Sequence, residues 1–576
     1  MPTSPVRRPC CETSELTPRT GRANQTALLA SNPTLPASPG GGLKTTVLNA
    51  GHRLNLPPFS LLAPALLVGG AMLVPLAYLL VRSVGASSEA WDLLFRFRTL
   101  ATLGRTALLV VTVTGLSVLV SVPLAWLTTR TDLPLRRVWT VLTILPLVIP
   151  SYVGAFLFVS ALGPRGLLQD ALAPFGVDRL PEIYGLPGAT MALALLSYPY
   201  VLLIVRSSMA GMDPAMEESA RALGRGPVRT FFTVTVPLLR PAIAAGSLLV
   251  ALYVLSDFGA VSLMHYETFT WSIYQQYQGA FDRSIAAVLS LLLVGLAVGV
   301  LVAEQWSRGR VRYHRSGVGA ARKLSLVRLG RWRWPALVLC CGLLAFALAL
   351  PISVLAYWLA RGVEAGGTFS GLWSAARNSL YGSGLAALLA VALALPVAAM
   401  VVRYPNRISR TLEGVSFVGY ALPGVVVALA LVFFGANYAS PVYQTIWLLV
   451  FAYVVLFFPV ALGSVRSSMA QISPSLEEAA RGLGRTPART VLTVTLPLVR
   501  SGLIAGAALV FLVTMKELPA TLILGPLGFN TLATQVWSAS SEAFFAKAAA
   551  PALLLVLLSS VPTAILVLRF GGGGRR

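Results

Sequence analysis

The chain has 576 residues, of which 56% are hydrophobic and only 11% charged, with a mean hydropathy of +0.75. Those values exclude an ordinary soluble domain, in which about a quarter of the residues carry charge, and identify an all-α polytopic membrane protein. The net charge of +24 does not point to nucleic acid, because the basic residues fall between apolar stretches, where the positive-inside rule expects them.

Residues 1–56 are rich in Pro, Ser, Thr and Gly and contain no apolar run, which predicts a disordered cytoplasmic tail and no cleaved signal peptide. Arg7-Arg8 is followed by no hydrophobic stretch, so a twin-arginine signal is not expected. Gly40-Gly41-Gly42-Leu43-Lys44-Thr45 misses the phosphate-binding loop pattern, since Leu43 stands where a glycine belongs and no strand precedes it. The chain is therefore not expected to hydrolyse ATP.

Apolar stretches long enough to span a bilayer follow near 60–82, 106–128, 138–162, 186–205, 241–264 and 284–303. Six more lie near 335–359, 379–402, 413–434, 443–465, 501–516 and 549–569. An even number per half gives both halves the same orientation, so about twelve helices form two parallel six-helix repeats related by a pseudo-two-fold axis along the membrane normal. The expected divisions are a first domain at 57–304, a basic linker at 305–334, a second domain at 335–570 and a short tail at 571–576. The linker has nine Lys or Arg and no acid, and Arg130, Arg136, Arg137, Arg403, Arg407 and Arg410 follow the second and eighth spans. These place both termini, the linker and those loops in the cytoplasm. The four cysteines form two adjacent pairs, Cys10-Cys11 and Cys340-Cys341, and neither has metal-site spacing.

After the fourth span of each half comes a hydrophilic segment. Residues 217–240, EESARALGRGPVRTFFTVTVPLLR, return at 477–500 as EEAARGLGRTPARTVLTVTLPLVR, with 16 of 24 positions identical. Asp213-Pro214 and Ser473-Pro474 place an N-cap residue before a first-turn proline, and Glu217/Glu218 and Glu477/Glu478 follow near the positive end of the helix. Gly224 and Gly484 supply sharp turns, and Pro227 and Pro487 open second short helices. Arginines at 221, 225 and 229, and at 481, 485 and 489, recur at four-residue spacing, and Glu217 and Glu477 can pair with the first of each series. Such pairs stabilise any exposed helix, yet selection for topology alone would retain the arginines and not the Glu, Gly and Pro between them. Two equivalent docking surfaces for a soluble partner are expected.

Asp257, in Ser256-Asp257-Phe258-Gly259, and Glu517, in Lys516-Glu517-Leu518-Pro519, hold equivalent places after the two segments. A helix rising from Pro241 reaches Asp257 after roughly 25 Å, so the pair is expected towards the outer face. Intramembrane carboxylates suit a hard cation, and the alternative is that they cap helix ends or pair with Lys516 and Arg283.

The pattern E-[SA]-A-x3-G with a proline thirteen residues after the glycine, at Glu218-Ser219-Ala220, Gly224, Pro237 and at Glu478-Ala479-Ala480, Gly484, Pro497, resembles the coupling motif of binding-protein-dependent ABC importer permeases. The resemblance covers essentially all of residues 57–570. It implies that Glu217, Glu218, Ala220, Gly224, Arg225 and Pro237, with Glu477, Glu478, Ala480, Gly484, Arg485 and Pro497, couple the chain to two copies of a cytoplasmic ATPase. That ATPase uses ATP and Mg, while this chain binds no cofactor. A single extracytoplasmic binding protein and a bacterial inner-membrane location are likewise implied. The strings SDFGAVSLM, KELPATLIL and TLATQVW resemble the ferric-iron branch, in which both halves are fused, although Gly525 stands where that branch often has a basic residue. Related fused permeases carry thiamine, polyamines or organophosphonates. An ion-coupled secondary transporter is the reading from another class, and it leaves the duplicated cytoplasmic motif without a task.

Overall fold

A computed structural model describes residues 57–86, 88–164, 166–177, 179–212, 214–279, 284–308, 326–366 and 370–570. The expected tails at 1–56 and 571–576, most of the linker, Asp213 and Arg283 lie outside them. Among the described residues, eleven helices are long and apolar enough to cross a membrane, and a twelfth span results if the bent pair Arg407–Ala421 and Gly424–Tyr438 counts as one. The order of spanning helices is the same in both halves.

Two stretches expected to be continuous are broken. In the first half the chain passes from Arg136–Leu142 through a tight turn, Leu145–Val148, and restarts at Ser151–Leu162. In the second half the pair meets at 105°. The cause is a proline in each stretch. A residue before proline is pushed out of the helical region, and Ile149 and Leu422 are indeed extended, with ψ of 121° and 114°. Pro150 and Pro423 then begin the next helix at its N-cap, where a missing N–H costs nothing. The fifth stretch also ends early, since its helix stops at Ser256 and residues 259–263 form a separate turn of helix.

Prolines explain a second recurring feature. Turns of π-helix occupy Phe231–Thr235, Ala345–Ala349 and Val491–Thr495, and Pro237, Pro351 and Pro497 each lie two residues beyond. A proline ring cannot tolerate the carbonyl four residues back, and widening the preceding turn removes the clash without ending the helix.

The halves interlock through their first spans. Phe59–Val84 packs on Leu372–Arg403, Arg407–Ser416 and Gly424–Tyr438 of the second half. Gly69 lets Leu412 pack directly on the helix backbone, where a Cβ would push its terminal methyl aside. Tyr78 meets Phe434 and Tyr438 edge-on at 6.3 and 6.0 Å. Reciprocally, Leu350–Glu364 packs on Ser151–Leu162, with Trp358 donating its indole N–H to Ser160.

The end of the linker is clipped to the first half. Val327 N donates to the Arg130 carbonyl at 2.8 Å and Asp132 N to the Val327 carbonyl at 3.2 Å. The Asp132 carboxylate accepts from Leu329 N and from the Arg333 guanidinium, both at 2.8 Å. The Leu329 amide first, and then Arg333, hold the Asp132 carboxyl below its ordinary value. A depressed carboxyl contributes stability above its unfolded pKa of about 3.9 and loses it as pH falls through the folded value. The carboxylate's share of the clip is therefore present at neutral pH and lost in acid. We predict that Asp132→Ala accelerates tryptic cleavage at Arg328 and Arg331 several-fold at pH 7. Wild-type cleavage rates in the variant would show that the amide ladder alone holds the linker.

Candidate coupling segments and central cavity

Each duplicated segment folds as a short helix, a glycine turn and a second short helix that runs through the π turn into a membrane span. In the first copy these are Pro214–Ala222 and Pro227–Thr230, and in the second Pro474–Gly482 and Pro487–Thr490. Gly224 and Gly484 have φ of +82° and +84°. Arg225 N donates to the Ala220 carbonyl and Gly224 N to the Arg221 carbonyl, at 3.2 and 2.9 Å, and Arg485 and Gly484 repeat both bonds at the same lengths. This is a Schellman termination, which satisfies the last carbonyls of the helix only if one residue is left-handed. A Cβ would meet nothing within 4 Å at either glycine. The requirement is thus for backbone conformation, at about 1–2 kcal/mol for any other residue. Ser473 sits at the N-cap position, but its hydroxyl bonds the Ser475 hydroxyl and no helix amide, whereas Thr486 caps the second short helix.

The motif residues divide between two faces. Glu218, Gly224, Arg225, Glu478, Gly484 and Arg485 are exposed. Beside them Leu223 and Leu483 are 82% and 84% exposed, a matched apolar pair that the sequence reading did not single out. Pro237 and Pro497 lie on the spans beyond. Glu217, Ala220 and Ala480 are buried and Glu477 is nearly so. They face the bundle, with Glu218 and Glu478 beside them on the outer face. The reason is helical phase, since positions 217 and 220 lie on the face opposite 218.

Glu217 accepts from the Thr235 hydroxyl at 2.9 Å and lies 3.9 Å from both Arg130 and Arg221. Glu477 accepts from Thr495 at 3.0 Å and from Arg403 at 2.9 Å. The expected pairing with the first arginine of the series holds for Arg221, while Glu477 pairs with Arg403. Arg130 is 2% exposed and also donates to the Met209 carbonyl, and Arg403 does the same to the Ile472 carbonyl. Both arginines, read from sequence only as topology signals, are structural partners of the motif. Each is the last residue of its long helix, Phe97–Arg130 and Leu372–Arg403.

Between the halves lies a cavity of about 460 Å³. Its wall takes Pro150, Ser151, Tyr152 and Asp257 from the first half and Tyr420, Gly424, Lys516 and Glu517 from the second, so all four helix breaks open onto it. Asp257 accepts from the amides of Ala260 and Val261 at 2.9 and 3.3 Å, and Glu517 from that of Ala520 at 3.3 Å. Both carboxylates cap the short helix that follows, and both line the same cavity. A Cβ at Gly424 would displace the Glu517 carboxylate from its present position. Lys516 pairs with neither acid. Its ammonium crosses to the Leu147 carbonyl at 2.6 Å. Pro150 has no N–H to offer that carbonyl, so the lysine supplies a donor to a helix end inside the bilayer.

The comparisons follow this geometry. Residues 117–313 and 390–569 match the family described as "Binding-protein-dependent transport system inner membrane component". The Fe(3+)-transport system permease protein FbpB 2 of Haemophilus influenzae is 35% identical over 515 residues, which is 88% of this chain and 98% of that protein. The molybdenum transport system permease protein ModB of Escherichia coli K12 is 34% identical over 221 residues, 36% of this chain and 95% of that one. The ferric transport system permease protein FbpB of Actinobacillus pleuropneumoniae is 25% identical over 413 residues, 67% of this chain and 58% of that one. Two matched copies in one polypeptide, each containing a glycine-turn segment and half of the cavity wall, make this chain a fused member of the family of binding-protein-dependent transport system inner membrane components.

Proposed function

We propose that the chain alone forms the translocation path of an ATP-driven importer for iron(III), served by two copies of a cytoplasmic ATPase and one extracytoplasmic binding protein. The observation that carries the cargo is the cavity, to which each half contributes one carboxylate, Asp257 and Glu517. Hard trivalent cations favour oxygen donors, and the wall adds the hydroxyls of Tyr152, Tyr200, Tyr253 and Tyr420. An anionic cargo would meet two carboxylates and an ammonium already committed to Leu147. The ferric-iron relative that aligns with nearly its whole length supports the same cargo.

The exposed faces of the duplicated segments supply the contacts with the ATPases, through Glu218, Leu223, Gly224 and Arg225 and their counterparts Glu478, Leu483, Gly484 and Arg485. Closure of the ATPase pair brings the two segments together and tilts the halves towards the outward-open state, and release resets them. ATP and Mg belong to the partner, and this chain contributes geometry. Both termini, the linker and the duplicated segments are cytoplasmic in this reading, as the arginine asymmetry requires.

Two experiments test it. In proteoliposomes with ATPase and binding protein, Asp257→Asn and Glu517→Gln should each lower uptake of radiolabelled iron(III) several-fold. The double variant should lower it more than either alone, since one carboxylate partly substitutes for the other. Wild-type uptake by the double variant would remove the carboxylates from the path and leave them as caps. For orientation, a cysteine at Thr486 should react with an impermeant maleimide only in inside-out vesicles, and one at Glu267 only from the opposite side. Labelling of Thr486→Cys from outside would invert the topology.

A further inference from the structure

Two helices are tied to a duplicated segment at one end and to the wall of the cavity at the other. Phe97–Arg130 and Leu372–Arg403, of 34 and 32 residues, are among the longest helices described. At the lower end of the first, Arg130 is buried against Glu217, which is held by Thr235. Arg403 stands against Glu477 and Thr495 in the same way, with a direct hydrogen bond of 2.9 Å. The charge pairs join each segment sideways to a helix that is not its neighbour in sequence.

At the upper ends, twenty-four residues back in both cases, stand Thr106 and Ser379. Phe269 N donates to the Thr106 hydroxyl at 3.2 Å, and Leu532 N donates to the Ser379 hydroxyl at 2.8 Å. Both hydroxyl residues are buried, at 3% and 4% exposure. The next residue after Phe269, Thr270, donates to the Asp257 carbonyl at 2.6 Å. Ser379, Thr531 and Glu517 line one small cleft. Adjacent bonds reinforce each end, from Tyr266 OH to the Arg105 carbonyl and from Asn378 Nδ2 to the Asn530 carbonyl. A straight helix of twenty-four residues spans about 36 Å, slightly more than the hydrocarbon core.

We infer that these two helices are the levers of the transporter, with Arg130 and Arg403 as the positioning residues that take up motion of the coupling segments. Thr106 and Ser379 deliver it to the carboxylate-bearing walls of the cavity. Both helices run continuously between their two ends, each with one internal proline, Pro123 and Pro396, at the same distance from the terminal arginine. A continuous helix carries an axial displacement along its length, whereas the covalent route enters a span through a full π turn followed by Pro237 or Pro497. The paired bonds at both ends make the first and second halves mechanically equivalent despite their divergent sequences.

The inference rests on the importer reading, so the test separates the two. Two sets of variants are reconstituted with the ATPase and binding protein. One is Arg130→Met with Arg403→Met, and the other is Thr106→Val with Ser379→Ala. The readouts are stimulation of ATP hydrolysis by the loaded binding protein and uptake of radiolabelled iron(III). Each set should abolish most of the stimulation and lower uptake at least tenfold, and the mild upper-end set should keep basal hydrolysis unchanged. Arg130→Lys with Arg403→Lys should recover at least half of the stimulation, which a general folding defect would not. Because the two ends act in series, combining the sets should cost no more than either alone. Wild-type stimulation and uptake in either set, or losses that multiply when the sets are combined, would overturn the levers. Absence of iron uptake by the wild type, with stimulation intact, would instead overturn the cargo and leave the levers testable through hydrolysis.

Discussion

Inside a bilayer no water is available to satisfy a backbone group, so a helix can be broken only where the protein itself supplies the missing partners. The architecture follows from that constraint. The chain breaks at Pro150 and Pro423 and again beside Asp257 and Glu517, and all four breaks turn inwards to one cavity. Partners for the freed groups come from residues at the breaks themselves: Asp257 and Glu517 for amides of the restarted helices, and Lys516 for the Leu147 carbonyl. The chemistry needed to terminate helices in lipid and the chemistry available to a passing cation are therefore the same side chains. A carboxylate that caps a helix retains one oxygen and lone pairs for another ligand.

The span count, the duplication and the glycine turns were legible from sequence because each rests on a local rule of wide reach: apolar length, repetition at fixed offset, and the left-handed demand of a Schellman end. Burial of Glu217 beside an exposed Glu218 was not, since adjacent positions on a short helix point apart and only the bundle decides which one is inside. The breaks at residues 150 and 423 were present as prolines within apolar stretches. Hydropathy alone does not separate a kinked span from a broken one, because neighbouring helices can satisfy the freed carbonyls in either case. Lys516 was offered by the sequence as a partner for Asp257 and Glu517, yet the unmet demand lay on a carbonyl in the other half, 369 residues away.

Buried charge is used sparingly and with different consequences at the two levels of the molecule. At the end that carries the duplicated segments, Arg130 and Glu217 are both nearly inaccessible, and removing one partner of a buried pair costs roughly 3–5 kcal/mol where nothing else compensates the remaining ion. Arg403 and Glu477 are slightly more open and closer, at 2.9 Å. Neither pair is explained by stability, since an apolar replacement of similar volume is often neutral or better. Their value lies in direction: an ion pair with a threonine hydroxyl on the third side fixes both distance and angle between a surface helix and a membrane helix. Leucine side chains would let the two slide.

The cavity also shows what fusion of two halves into one chain permits. In a pore made of two identical subunits, any residue on the axis must be compatible with its own copy. Here Lys516 faces the place that Ser256 holds in the other half, and Leu147 and Tyr420 hold the corresponding positions before the two proline breaks. Two lysines would set two ammonium groups beside the path of a cation, and two serines would leave the Leu147 carbonyl without a donor that can reach across. A single lysine joins the halves at one break and leaves the balance of charge on the wall with the two carboxylates. Symmetry is thus retained at the duplicated segments and along both long helices, where we propose that force enters, and abandoned at the wall of the cavity.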